Sequence, residues 1–558
     1  MNDRRALLAA ALTALAATPA RLPDLEQLYA DVREAKDQIE VTEARGARAS
    51  TTGTPLAELQ GRYAALRARL VGLMETARPG AVGEEARARE AMRSALADAL
   101  PAPEAGPARE TGAKPPCDYD AAALAAEGLD ALSRRIYACY GEAARNVRYG
   151  DETIDRLTVF ARLAETADAG QRRRLFLALD PVWRSVNGDD SPASPYRQLV
   201  KLSARRWAKG DSPIARNLAA LGIAPDAAER WLTAVLETWR DATPSEPIEP
   251  WDLHHSGGAL NRALGARVPK ERLRQLNDAF YRALGADPLA LGVRYDLEPR
   301  DGKTPVAFTT FGQRPRLHGK TCTAGEAWIF ATYREAGLDN LAELLHETGH
   351  AVHIVAIRAR PAFADWPDSD TFTEALADLI ALEAYEPAWQ QRWLGAAAPL
   401  ADSLRSKYAG IVLDVAWSLF EVRMHRAPDA DPNQVWSELT REYLHVTPHP
   451  ELSWWAMRGQ LVDAPGYMMN YGLGSLITAE LRARCRALRG PFERPDPGYY
   501  AWLCERLYRF GLAKASRAVI EDFLGRPLSP DALIADMARA KASGATPCPK
   551  PDGNGSTP

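Results

Sequence analysis

Leu344-Leu345-His346-Glu347-Thr348-Gly349-His350-Ala351-Val352-His353, followed downstream by Thr371-Phe372-Thr373-Glu374-Ala375-Leu376-Ala377-Asp378-Leu379-Ile380, is the part of this chain whose reading decides its fold. Residues four apart on a helix project from one face, so His346 and His350 aim two imidazoles at one point. Imidazole and carboxylate suit zinc, and a catalytic zinc commonly takes three protein ligands and keeps a fourth position open. Glu374 is the natural third ligand. Glu347 lies on the flank of the histidine pair, within reach of a water beside the metal, and reads as general base and then acid. Asp378 shares a helix face with Glu374 and is the candidate to hold the second ring nitrogen of a ligating histidine. His353 reads as surface or supporting packing, not as a ligand.

The bland alternative is two histidines on an apolar helix, since H-E-x-x-H also recurs by chance. The context favours the metal. Leu341, Leu344, Leu345, Val352 and Ile354 surround the motif at the spacing of a buried helix, and no proline interrupts residues 339 to 360. A glycine inside a helix costs stability, so Gly349 implies that a substrate or a neighbouring backbone comes close there.

Outward from this core the chain reads as mainly α. Residues 21–100 form an N-terminal arm or lid of two or three amphipathic helices, broken at Ser50-Thr51-Thr52-Gly53-Thr54-Pro55 and near Pro79-Gly80. Residues 101–116, rich in Pro, Ala and Gly, read as a linker, 117–542 as a helical catalytic body and 543–558 as a fraying tail. Val306 to Thr310, before Gly312, reads as a strand near the site. Over 558 residues, 46% hydrophobic and 25% charged content is that of a globular protein, and a net charge of -4 favours neither nucleic acid nor an anionic membrane. Arg172, Arg173 and Arg174 read as a solvated helix face.

Arg4 and Arg5 before an Ala/Leu stretch resemble a secretory signal over residues 1–20, too short to span a bilayer; export is expected over a cytoplasmic location. Six cysteines permit pairs such as Cys117 with Cys139 or Cys485 with Cys504, and form no C-x-x-C cluster. A monomer with no transmembrane segment is the expectation.

The two motif helices resemble those of the gluzincin metallopeptidases. FTEALADLIAL over 372–382 and Lys320-Thr321-Cys322-Thr323 are similar to the angiotensin-converting-enzyme family of peptidyl-dipeptidases. LLHETGHAVH and the stretch from Asp296 to Lys303 are similar to the thimet oligopeptidase family. The resemblance implies a two-lobed helical molecule with a deep channel that admits short peptides, a small sheet at the cleft, one zinc ion and tyrosine donors to the oxyanion. In the stretch from Ala464 to Gly474 it points first to Tyr471 and then to Tyr467. It also implies a histidine five to seven residues before the first tyrosine, where this chain has Gln460, Leu461 and Val462. Gln460, Arg458 or His449 then supplies the donor, or the chemistry is altered.

The expected function is zinc-dependent hydrolysis of short peptides, as an oligopeptidase or a dipeptidyl carboxypeptidase. The alternatives are a zinc hydrolase that tailors a small biosynthetic amide and a non-catalytic peptide-binding homologue. No G-x-M-E-N segment points to an aminopeptidase.

Overall fold

Apolar residues at helical spacing carry most of this chain into α-helix, and strands form where aromatic and β-branched residues replace that spacing. The computed structural model describes residues 21–75, 82–97, 117, 119–208, 210, 212–300, 303, 307–318, 321–333 and 337–542. Over these the fold is mainly helical, with short strands between the helices. The signal-like stretch, the 101–116 linker, the tail, Pro79-Gly80, Val306 and Lys320 lie outside the described residues. No helix among the described residues is long and apolar enough to cross a membrane.

The N-terminal segment forms α1 (Leu22–Ala44), α2 (Leu56–Glu75) and α3 (Gly83–Ala97). Helix α1 buries Leu25, Val32, Ala35 and Ile39 along one stripe. It is also tied down by charge. The buried Arg314 guanidinium bonds Asp37 at 2.9 Å and Asp365 at 2.7 Å, and Arg33 pairs with Asp365 at 2.8 Å. Burial pushes the Asp37 carboxyl up to about 6 in spite of Arg314 and Arg33 beside it.

Three strands, β1 (Val293–Asp296), β2 (Phe308–Gln313) and β3 (Glu326–Phe330), make a sheet of order β1-β3-β2, with β1 parallel and β2 antiparallel to β3. The strand expected at 306–310 therefore starts at Phe308 and runs through Gly312. A register shift between Phe311 and Gln313 accommodates that glycine, where a Cβ would come 2.5 Å from the Trp328 ring.

The motif stretch is α4 (Leu338–Ala356), buried on nearly every face. Two buried tyrosines hold it: Tyr281 donates to the Leu345 carbonyl at 2.6 Å and Tyr500 to the Val352 carbonyl at 2.8 Å. Against it crosses α5 (Asp370–Ala381), capped by the Ser369 side chain. The crossing is tight. A Cβ on Gly349 would lie 2.4 Å from the Ala377 carbonyl oxygen, so it is a neighbouring backbone that the glycine admits. Farther along the chain, α6 (Leu400–Arg426) and α7 (Met468–Arg489) pack together, and α7 also packs on α5.

Two expectations on side chains are corrected. Arg172 is buried, where it bonds Asp252 at 2.8 Å and the Thr166 and Ala167 carbonyls, while Arg173 and Arg174 alone are exposed. Cys117 does pair with Cys139, but Cys485 and Cys504 are free thiols.

Candidate metal centre

Helical periodicity puts His346 and His350 one turn apart on α4, and the Gly349–Ala377 contact brings α5 near enough for Glu374 to reach both. The Nε2 atom of His346 lies 3.5 Å from one Glu374 oxygen and that of His350 3.7 Å from the other. Two ligands about 2.05 Å from a tetrahedral zinc are about 3.3 Å apart, so these separations fit such an ion with small adjustment. The three donor atoms all lie within 4.8 Å of one another.

The second nitrogen of His346 meets Asp378 at 2.7 Å. In a ligating ring, a carboxylate there would hold the proton on Nδ1 and leave Nε2 for the metal. His350 is oriented by packing instead, edge-on to Trp366 at 5.6 Å. Burial works to lower the pKa of His346, but Asp378, Glu374 and Glu347 outweigh it and hold the ring well above the ordinary imidazole value. Burial likewise opposes Glu374, and the two histidines still hold its carboxyl well below the usual range. The site thus demands positive charge, which a divalent cation supplies in place of protons.

Glu347 is buried and does not join the donor triad. Its carboxylate accepts from the Thr309 hydroxyl at 2.6 Å, and the same hydroxyl lies 3.0 Å from the Glu347 carbonyl. Thr309, on β2, is a contact that sequence reasoning misses, and no local signal announces it. Glu343 is missed as well, although it stands one turn before Glu347. Burial and the Glu347 charge push it up to about 7.

Of the two readings of His353, surface or supporting packing, the structure shows packing. The residue is fully buried between Trp366 and Tyr508, neither ring nitrogen is hydrogen-bonded, and burial lowers it to about 3.

In front of the triad a cavity of about 760 Å³ is walled by α4, α5 and β2, by Ile411 and Asp414 of α6, by the segment from Gln460 to Ser475, and by Arg156 and Leu157. Tyr467 and Tyr471 both line it, their rings 5.5 Å apart and nearly perpendicular. Burial, with Glu374 adding its charge, raises both phenols, so both stay protonated and able to donate. The loop before α7 is held by Glu421, whose two carboxylate oxygens accept from the Gly466 and Met468 amides at 2.6 and 3.1 Å. Those amides favour its ionised form, yet burial wins and pushes it up to about 8.

Of the three stand-ins for the absent histidine, one faces the cleft. Gln460 lines the cavity with Tyr471, and its amide works to lower the Tyr471 phenol against burial. Arg458 pairs with Asp414 and lies over the Tyr471 ring at 5.7 Å, behind the lining. His449 is elsewhere, bound to Glu249 and Glu451 and stacked near Trp251.

No protein-family model and no curated protein matches this sequence. Among solved structures, the chain is similar to the M32 carboxypeptidase from Deinococcus radiodurans R1, at 17% identity over 93% of this chain and 98% of that one, with a TM-score of 0.52. PZ peptidase A, solved with an inhibitor, is similar at 14% identity over 94% of this chain and 97% of that one, with a TM-score of 0.53. At such identities the likeness is one of fold.

Proposed function

We propose that this chain is a zinc-dependent metallopeptidase acting on short peptides, with Glu347 as general base and acid. The observation that carries the reading is the convergence of two imidazole nitrogens and one carboxylate at the spacing of a tetrahedral ion, with an unligated glutamate beside them and a cleft in front. Zinc is the ion this mixed nitrogen and oxygen donor set favours, and three donors call for one ion. Such an ion, when bound, polarises the scissile carbonyl and makes water acidic enough to attack near neutral pH.

The protein's own groups do the rest. Glu347, steadied by Thr309, takes the proton of the attacking water and passes it to the leaving nitrogen. Tyr471 and Tyr467 donate to the oxygen that gains charge, and each such donor is worth about 2.7 to 4 kcal/mol in a dry site. Gln460 orients Tyr471 where the resembling families have a histidine. The shared fold with structures named as peptidases supports the same reading, and the Cys117–Cys139 disulfide supports export to an oxidising compartment.

A second reading, hydrolysis of a small biosynthetic amide, is favoured by one observation, the amide side chain of Gln460 in the wall that would otherwise carry a cationic donor. A mixed peptide library digested by the zinc-loaded protein and read by mass spectrometry separates the two. The test of the mechanism is Glu347→Gln, which should keep one zinc per chain and lose roughly 100- to 10,000-fold in kcat. Full activity in that variant would remove Glu347 from the chemistry.

A further inference from the structure

Arg156 is half-buried and differs from the buried arginines of this protein. Arg314 has Asp37 and Asp365, Arg172 has Asp252, and Arg482 has Glu383. Arg156 lines the metal cleft, and among the described residues no carboxylate pairs with it; its guanidinium lies over the face of the Phe160 ring at 5.0 Å. The nearest acid in sequence, Asp155, accepts from the Thr158 amide at 2.8 Å as a helix cap. Arg458, behind the lining, is paired with Asp414. Burial pulls the pKa of Arg156 below the ordinary guanidinium value, and the Arg458 charge adds to the push.

A charge partly withdrawn from water without a partner is costly, and folds usually pair such groups. The other titratable groups lining this cavity, apart from the tyrosines, are carboxylates or the two metal-centre imidazoles, so Arg156 is what the described walls offer to an anion. Its neighbour Arg458 lies over Tyr471, and Tyr471 senses the Glu374 charge. Arg156, Tyr471 and the three metal-centre donors thus line one cavity. An extended peptide advances about 3.3 to 3.6 Å per residue, so a few residues suffice to cross a cavity of this size.

We propose that Arg156 anchors a carboxylate of the peptide substrate, at its C-terminus or on an Asp or Glu side chain, and thereby sets which bond meets the metal centre. The planar guanidinium fork matches a carboxylate with two parallel hydrogen bonds. This inference rests on the peptidase reading above for its substrate, and its test separates the two.

Matched blocked tripeptides are compared as free acid and C-terminal amide, and amidated peptides are compared with Asp or Asn at one internal position. Wild type, Arg156→Gln and Arg156→Lys are assayed for kcat and KM. Binding is measured by titration calorimetry on the zinc-loaded Glu347→Gln protein with and without Arg156→Gln. The expected result is that the acid-to-amide or the Asp-to-Asn ratio of kcat/KM falls about 100-fold in Arg156→Gln, mainly through KM, with partial rescue by lysine. The pair that responds identifies which carboxylate is held. Equal losses on every substrate, or ratios that do not change, overturn the proposal, as does failure of every carboxylate peptide to bind. If nothing is hydrolysed but the binding ratio still collapses, the peptidase reading falls and the anchor stands; turnover with unchanged ratios removes the anchor and leaves the peptidase reading in place.

Discussion

The two walls of the cleft are built differently. The metal wall, α4 against α5, is set by helix spacing and one backbone-to-backbone contact, with Asp378 on His346, Glu374 between the two imidazoles, and His350 packed on Trp366 just before α5. The donor wall, from Arg458 to Ser475, is set by contacts reaching across the molecule: Glu421 on the Gly466 and Met468 amides, Asp414 on Arg458, and Thr371 donating to Asn470. A site can thus have a locally determined half and a half that exists only once distant helices have packed.

The largest effect should come from the metal wall. Gly349→Ala drives a methyl into the Ala377 backbone, where a Cβ has 2.4 Å of room, and neither helix can yield without moving Glu374 from the histidines. Overpacking of this kind costs about 1 to 3 kcal/mol of stability. The expected outcome is a folded protein with little bound zinc by elemental analysis and activity near background; retention of one tight zinc would show that the crossing does not set ligand distance.

On the donor wall, Tyr471→Phe should leave zinc content intact and lower kcat by roughly 100- to 1,000-fold, with Tyr467→Phe the smaller of the two. A larger loss in Tyr467→Phe would reverse the order of the donors and move the oxyanion toward the Glu374 end of the wall.

Glu421 gives a subtler contrast through pH. Its folded-state pKa, about 8, lies above the usual carboxyl value of 4.5, so the native state holds this proton more tightly than the unfolded chain does. That contribution is fully present below about 4.5 and is lost as pH rises toward 8. Between about pH 5 and 8, thermal unfolding of wild type should therefore lose stability relative to Glu421→Gln, and parallel curves for the two proteins would show that the amide donors keep the carboxylate ionised throughout.

Much of the metal wall is legible in the sequence because helical geometry converts spacing into direction. His346, Glu347, His350, Glu374 and Asp378 need only a period of about 3.6 residues to be grouped, and Gly349 is readable as a point of close approach. For His353 surface and packing both stay open in the sequence, because the same period cannot tell which flank of a buried helix meets Trp366 and Tyr508 and which meets solvent. Arg172 is misread for a related reason: its partner Asp252 is 80 residues away, and a run of arginines looks solvated until that carboxylate arrives.

The amino-acid sequence by itself determined a helical protein in which His346, His350 and Glu374 can meet with Glu347 beside them, since those features depend on residue type and short-range spacing along two helices. Only the tertiary structure decided that Gln460 and not His449 faces the cleft, that Thr309 steadies Glu347, and that Arg156 brings its charge to the cavity without a carboxylate partner among the described residues. Each of these joins segments far apart in the chain, and the distance between such segments is set by how whole helices and strands pack, which no local pattern encodes.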